Sequence, residues 1–105
     1  MRKKRQPIEI RLTNSNQVAL IDEEDYLLVS PYTWRLKRSA YTPYVCTTKW
    51  VDGKAKTLRL HRLVMNPKSD EDVHHFNHDT CDNRKENLEC RPMSEHRGRH
   101  PKNYM

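Results

Sequence analysis

The stretch "VHHFNHDTCDNRKENLECR" (residues 73–91) decides how the second half of the chain folds. Residues 73–77 combine a β-branched residue with aromatic and histidine side chains, which predicts a strand. The polar run 78–86 predicts a loop, because it offers no apolar face to bury. "NLECR" (87–91) predicts a second strand. The sequence therefore predicts a strand, a loop and a strand, in that order.

A short helix is predicted after the second strand. "SEHRGRH" (94–100) has Ser94 in a plausible N-cap position and ends near Pro101. Gly98 lowers the helix propensity of this segment. The helix therefore needs support from outside itself.

The preceding part of the chain, residues 1–68, is rich in strand patterns. "DEEDYLLVSPY" (22–32) predicts one short helix that begins with Asp22 as its N-cap and stops at Pro31. We predict a single α+β domain over residues 1–105, in which a small N-terminal antiparallel β-sheet with a short helix (1–68) precedes the segment 70–100. The strands predicted in the first part are 8–12, 18–21, 33–39, 44–51 and 58–60, with a turn at Asp52-Gly53 and a helical turn at 61–65.

Charge and composition point to a polyanionic partner. The net charge is +6, and 34% of the residues are hydrophobic, so a metal inside the fold would help to hold it together. Nucleic acid is the simplest partner for such a chain, although a merely soluble basic surface would explain the charge nearly as well. We expect no membrane association, because no apolar run reaches about 18 residues.

The cysteines and the N-terminal sequence indicate the compartment. The three cysteines, an odd number, form no CxxC pair, and the basic start "MRKKRQPIEI" is followed by no apolar stretch of a secretion signal. A reduced, cytoplasmic setting is the simplest interpretation.

Histidines are crowded into one segment, and their spacing has chemical meaning. His96 and His100 are four residues apart, so on a helix they lie on one face and could share a metal ion. His74 or His75 could supply a third ligand, which leaves the other as a base. Because neighbours on a strand point to opposite faces, a shared site requires a twist or bulge there.

These residues resemble the HNH nuclease motif, a ββα-metal unit. His75 matches its catalytic His, Asn87 its middle Asn and His96 its final His. The loop "DNRKENL" looks like the "DNRxxNL" of phage and intron-encoded members. The upstream segments "ALIDEEDYLLVSPYTW" (19–34) and "LRLHRLVMNP" (58–67) also look like those proteins, so the resemblance covers nearly the whole chain.

One departure from that branch bears on the metal. Those members usually have Asp before the catalytic His and Asn on the helix, whereas this chain has His74, His96 and His100. The pattern is similar to that of colicin-type DNases, in which the corresponding histidines bind metal. The resemblance implies one divalent ion on these three residues, with Zn²⁺, Ni²⁺ or Mn²⁺ favoured over Mg²⁺, which prefers oxygen ligands.

The resemblance implies a metal-dependent DNA endonuclease. His75 would take a proton from water, the ion would stabilise charge on the phosphate and on the departing oxygen, and the products would carry 5′-phosphate and 3′-hydroxyl ends. Asn87 would brace the loop or orient His75. The sequence does not determine the DNA target. It also does not decide whether the enzyme would cut one strand or both, or whether the chain is a monomer or a homodimer.

Several further residues are assigned from their surroundings. Arg97 and Arg99, on the other faces of the predicted helix, could grip the DNA backbone. Arg84 could bind a phosphate too, or pair with Asp82 or Glu86. His61 is expected to be a packed histidine that braces the site, and His78 a loop residue.

Two other functions remain possible from the sequence. Cys81, Cys90, His96 and His100 could make a zinc-stabilised DNA-binding module without catalysis, but eight residues separate the cysteines, against the usual two to four, and His74 and His75 would be idle. A basic protein-interaction domain without metal would leave the histidine spacing unexplained.

Overall fold

The computed structural model describes residues 6–39 and 42–93, and everything below concerns these. The first hairpin consists of β1 (Ile8–Arg11) and β2 (Val18–Ile21), which pair in antiparallel register. Ala19 and Ile21 are fully buried, because alternate residues of β2 face the core. The predicted strands 8–12 and 18–21 are therefore present.

The short helix predicted after β2 is present as a 3-10 turn (Glu23–Asp25) that continues into α1 (Tyr26–Val29). Asp22 occupies the N-cap position, but its side chain makes no capping hydrogen bond. Its carboxylate accepts a hydrogen bond from the backbone amide of Lys85 at 2.9 Å instead. Asp22 thus ties the helix to the second half of the chain.

A three-stranded antiparallel sheet follows, with the order β3 (Arg35–Lys37), β4 (Tyr44–Val51) and β5 (Lys54–Arg59). Asp52 and Gly53 join β4 to β5 with φ angles of 51° and 76°, the left-handed conformation that two-residue hairpin turns need. Residues 49–57 are exposed along both strands. The outer half of this hairpin therefore extends beyond the core as a two-stranded ribbon.

Helix α2 (Leu60–Met65) begins directly after β5 and ends at Asn66, which has a left-handed φ of 48°. Leu60 and Val64 are buried one turn apart, which fixes the helix on the core. This anchoring places His61, the second residue of α2, beside the second half of the chain.

The second half contains β6 (Glu71–His75) and β7 (Leu88–Pro92), paired antiparallel. The loop between them ends in a 3-10 turn (Lys85–Asn87). The first strand predicted here, 73–77, is displaced: it begins earlier and ends at His75. The predicted helix 94–100, with His96, Arg97, Arg99 and His100, lies outside the described residues.

One core joins the two parts of the chain. Val73, Cys81 and Leu88 from the second part share a buried cluster with Trp34, whose indole N–H donates to the carbonyl of Val29 at 3.0 Å. The chain is thus a small α+β fold with antiparallel sheets and short helices. Within the described ranges, no helix has the length and apolar character required to cross a bilayer. The other buried apolar residues of the cluster are Leu12, Ala19, Ile21, Val29, Val45, Leu60 and Val64.

We predict that Leu60→Ala lowers the free energy of unfolding by about 2–5 kcal/mol, because it leaves a cavity where a fully buried side chain stood. Leu27→Ala is the matched control, since Leu27 is 83% exposed and its truncation should change stability by less than about 0.5 kcal/mol. Urea denaturation followed by circular dichroism measures both. Equal losses would contradict the assignment of Leu60 to the core.

Candidate functional site

His75 is the last residue of β6 and lies opposite Leu88 of β7. Its Nε2 atom is 2.8 Å from the Oδ1 atom of Asn83 in the connecting loop. With the ring proton on Nε2, Asn83 accepts it, and Nδ1 keeps the lone pair of a neutral imidazole. His75 therefore has one nitrogen held by the protein and one able to accept a proton.

Burial and hydrogen bonds of both its side chain and its backbone hold Asn83 in place. Its side chain is fully buried, its Nδ2 donates to the carbonyl of Thr80 at 3.3 Å, and its backbone amide donates to the carbonyl of Leu20 at 2.8 Å. With Nδ2 engaged by a carbonyl, Oδ1 is the atom that faces His75. Asn83 consequently acts as an orienting partner of that imidazole.

His61 packs against His75, as the sequence predicted for a bracing histidine. The two ring centroids are 5.1 Å apart, with planes inclined by 57°. Burial, followed by electrostatic interactions with the neighbouring His75, Arg59 and Arg62, lowers the pKa of His61 to about 4. His61 is therefore neutral at physiological pH and adds no charge beside the candidate base.

A cleft of about 340 Å³ opens beside the two histidines. Arg59 lies at its edge with its guanidinium 4.7 Å from the centroid of the Tyr44 ring, a cation–π contact. Arg62 approaches Asp72 at 3.5 Å. The cleft suits an anion with several oxygens, because two guanidinium groups face a single carboxylate among its described lining residues. That lining includes Thr42, Tyr44, Arg59, His61, Arg62, Asp72, His75 and Thr80.

His74 does not share the position of its neighbour. The pairing of β6 with β7 is unbroken, with His74 opposite Glu89 and His75 opposite Leu88. The strand therefore has no bulge here that would bring the two side chains to one site, and the two imidazoles leave the strand on opposite sides. Among the described residues, His75 lines the cleft and His74 does not.

Asn87 braces the loop. Its Nδ2 donates to Oδ1 of Asn77 and to the carbonyl of Asp82, both at 2.9 Å, and its Oδ1 accepts the backbone amide of Asn77 at 3.1 Å. Of the two tasks considered for Asn87, the contacts show the bracing one. Orientation of His75 falls to Asn83, a residue of the predicted polar loop 78–86.

Arg84 is engaged by carboxylates within its own loop. It bonds to Asp82 at 2.6 and 2.7 Å and to Glu86 at 2.6 Å. The hydrogen bonds from Arg84 hold the pKa of Asp82 below its usual value, and the pKa of Arg84 is raised in return. Of the alternatives considered, the structure shows the intramolecular pair. Contact of Arg84 with DNA stays a prediction.

Three clustered carboxylates, Asp22, Glu24 and Asp25, come within 4.8 Å of one another. The ammonium group of Lys85 lies 2.8 Å from Glu24 and 2.9 Å from Asp25. This lysine already neutralises much of the cluster. The cluster is best explained as a structural ion-pair network that connects the helical turn to the loop.

The zinc-module alternative depends on Cys81 in the loop and Cys90 in β7. Cys81 lies in the hydrophobic core and its thiol approaches the Gln17 side-chain oxygen at 3.4 Å, while Cys90 packs against the same core. Burial raises the pKa of both thiols, and zinc binds the thiolate form. This environment does not favour a Cys₂His₂ site.

The structure thus brings His75 and Asn87 to opposite ends of one loop and places His74 next to His75. His78 is an exposed loop residue, as predicted. The remaining predicted ligands, His96 and His100, lie outside the described residues. Comparison with protein-family models, curated proteins and solved structures found no match to this chain.

We predict that the stability of the protein falls on acidification through the pH range 6.5 to 4. An unfolded chain protonates His61 near 6.5, whereas the folded chain does so near 4. The unfolded state therefore binds more protons within this range, which favours unfolding by up to about 3 kcal/mol at its lower end. Above pH 6.5 this contribution should be constant.

Denaturant unfolding at several pH values tests this, with His61→Gln as the control. Glutamine does not titrate, so the variant should lose about 3 kcal/mol less than the wild type between pH 7 and pH 4. Parallel pH curves for the two proteins would refute a neutral, buried His61.

Proposed function

We propose that the chain is a metal-dependent DNA endonuclease of the HNH type that hydrolyses phosphodiester bonds. The observation that carries this proposal is the placement of His75. It faces a cationic cleft, one ring nitrogen is held by Asn83, and a neutral His61 packs against it. A general base requires an oriented imidazole with a free lone pair beside its substrate.

The substrate is a phosphodiester of DNA. Arg59 and Arg62 face the cleft, and guanidinium groups bind phosphate oxygens by charge-assisted hydrogen bonds. A phosphate held there lies beside His75, whose imidazole removes a proton from the attacking water. The hydroxide then attacks the phosphorus, the bond from phosphorus to the 3′-oxygen breaks, and that oxygen takes a proton from water. The products carry 5′-phosphate and 3′-hydroxyl ends.

The ββα-metal interpretation assigns the ion to His74, His96 and His100. Imidazole donors suit Zn²⁺, Ni²⁺ or Mn²⁺ better than Mg²⁺, and His74 follows a buried core residue of β6 on the strand that carries the base. A divalent ion held by these residues would supply positive charge for the phosphate and the departing oxygen. His74 and His75 leave the strand on opposite sides, which favours different roles for them.

We predict that His75→Ala keeps its metal and its fold but loses cleavage by about 10²- to 10⁴-fold, because the base is missing. His74→Ala should weaken metal binding and lose activity in consequence. Metal content by elemental analysis is measured beside plasmid nicking with Zn²⁺, Ni²⁺, Mn²⁺ and Mg²⁺. Metal loss in His75→Ala alone would reverse the two roles, and normal cleavage by both variants would refute the proposed function.

We predict that substitutions of Asn87 and Asn83 have different effects on stability and on the His75 ring. Asn87→Ala removes three hydrogen bonds of the loop and should lower stability by about 2–3 kcal/mol. Asn83→Ala should in addition change the tautomer balance of the His75 ring, which ¹⁵N NMR of labelled histidine reports. An unchanged tautomer in Asn83→Ala would show that Asn83 does not orient His75.

A further inference from the structure

The outer face of the three-stranded sheet has an unusual composition. In the register of β3, β4 and β5, Arg35 pairs with Cys46 and Lys37 with Tyr44, and Cys46 in turn pairs with Arg59. Paired residues and their second neighbours point to the same side of a sheet. The opposite side gives Leu36, Val45 and Leu58 to the hydrophobic core. On this side Cys46 is fully buried, and the residues around it are partly or fully exposed, namely Arg35, Tyr44, Thr48 and Arg59.

The outer face continues along the exposed ribbon. Thr48 pairs with Thr57, and Trp50 pairs with Ala55, on the same side of the sheet as Tyr44 and Arg59. The side chain of Trp50 is 70% exposed. No carboxylate stands on this face of the three strands. Its residues are Arg35, Lys37, Tyr44, Cys46, Thr48, Trp50, Ala55, Thr57 and Arg59.

We propose that this outer face is a DNA-docking surface that seats the β4–β5 ribbon in the major groove of duplex substrate. The proposal rests on the proposed function, because it assumes that DNA enters the cleft beside His75. The face and the cleft are continuous, since Tyr44 and Arg59 belong to both. A phosphate in the cleft therefore brings the duplex along the sheet.

The chemistry of the face favours DNA over a protein partner. The stable core of a protein–protein interface is apolar, whereas this face offers cationic side chains, threonines and single aromatic groups. Within the described residues, Arg35 and Lys37 form no ion pair, so their charges are available to phosphates. The major groove is about 12 Å wide and admits a two-stranded ribbon.

The dimensions of the ribbon give the reach of this contact. Trp50, near the hairpin turn, lies six positions after Tyr44 at the cleft, which corresponds to about 20 Å along a strand. DNA rises about 3.4 Å per base pair. Trp50 therefore contacts the duplex about six base pairs from the cleaved phosphate. The contact lies on only one side of that phosphate along the DNA.

The matched charge variants are Arg35→Gln/Lys37→Gln on the outer face and Lys49→Gln/Lys56→Gln on the opposite side of the ribbon. Both pairs lie on the same sheet and remove two positive charges, and Lys49 is directly opposite Lys56. Affinity for a 24-base-pair duplex is measured in EDTA at several salt concentrations. The outer-face pair should lower the log–log salt slope by about 1.8, and the control pair should leave it unchanged.

Tryptophan fluorescence provides a second, independent measurement. Trp34 is 1% exposed and Trp50 is 70% exposed, so acrylamide quenches Trp50 selectively. Duplex DNA should protect Trp50 from acrylamide in the wild type, and Trp50→Phe should show no DNA-dependent change. Absence of protection, or equal salt slopes for the two charge pairs, would overturn the proposal.

Failure of the docking proposal can be distinguished from failure of the proposed endonuclease function. Binding in EDTA does not depend on cleavage. If the DNA stays intact with every metal, the proposed endonuclease function is refuted, but protection of Trp50 by DNA would still support the docking surface. Plasmid cleavage with unaltered binding by Arg35→Gln/Lys37→Gln would remove the docking surface alone. A change in oligomeric state of that variant by light scattering, without a change in DNA affinity, would assign the face to a second copy of the chain and refute the proposal.

Discussion

The docking of the loop segment 79–83 onto Leu20 is the contact on which the candidate site depends. The amide of Leu20 donates to the carbonyl of Cys81, and the amide of Asn83 donates to the carbonyl of Leu20, both at 2.8 Å. These two bonds make a strand-like bridge between the first hairpin and the loop. Because Asn83 is also bonded to His75, the first hairpin fixes the imidazole through a single intermediate residue.

The distribution of charge follows from the same arrangement. Arg84 and Lys85 extend from the loop into carboxylates on one side of the molecule. These pairs leave little positive charge available there. Within the described residues, by contrast, no carboxylate of the three strands shares a side of the sheet with Arg35, Lys37 and Arg59. A basic chain can in this way present a directional surface to a polyanion.

Much of the local structure was predictable from the sequence. The strands 18–21 and 44–51 and the turn at Asp52-Gly53 follow from alternation and turn chemistry, and the structure confirms them. The bracing role of Asn87 was also among the expectations. These features depend on residues near one another in the chain or on spacings that repeat with the strand period.

The contacts of Asn83 were not predictable, for a physical reason. Asn77, Asn83 and Asn87 all belong to or border one polar loop, and residue type alone does not say which amide reaches His75. The choice depends on the docking of Cys81 and Asn83 against Leu20, more than 60 residues earlier in the chain. The sequence shows which asparagines could reach His75, but only the tertiary contact with Leu20 determines that Asn83 is the one that does.

The two adjacent histidines show how a regular strand separates neighbouring side chains. A site shared by His74 and His75 would require the strand to twist or bulge, and the pairing with β7 is unbroken by any bulge. Regular alternation then sends one imidazole to the cleft with His61 and the other to the opposite side of the hairpin. If an ion is held on the His74 side, the phosphate must lie at the end of β6, where the strand stops and both sides become accessible. Under the proposed function, the end of the strand at His75, rather than a distortion within it, is what would allow these adjacent residues to serve one reaction.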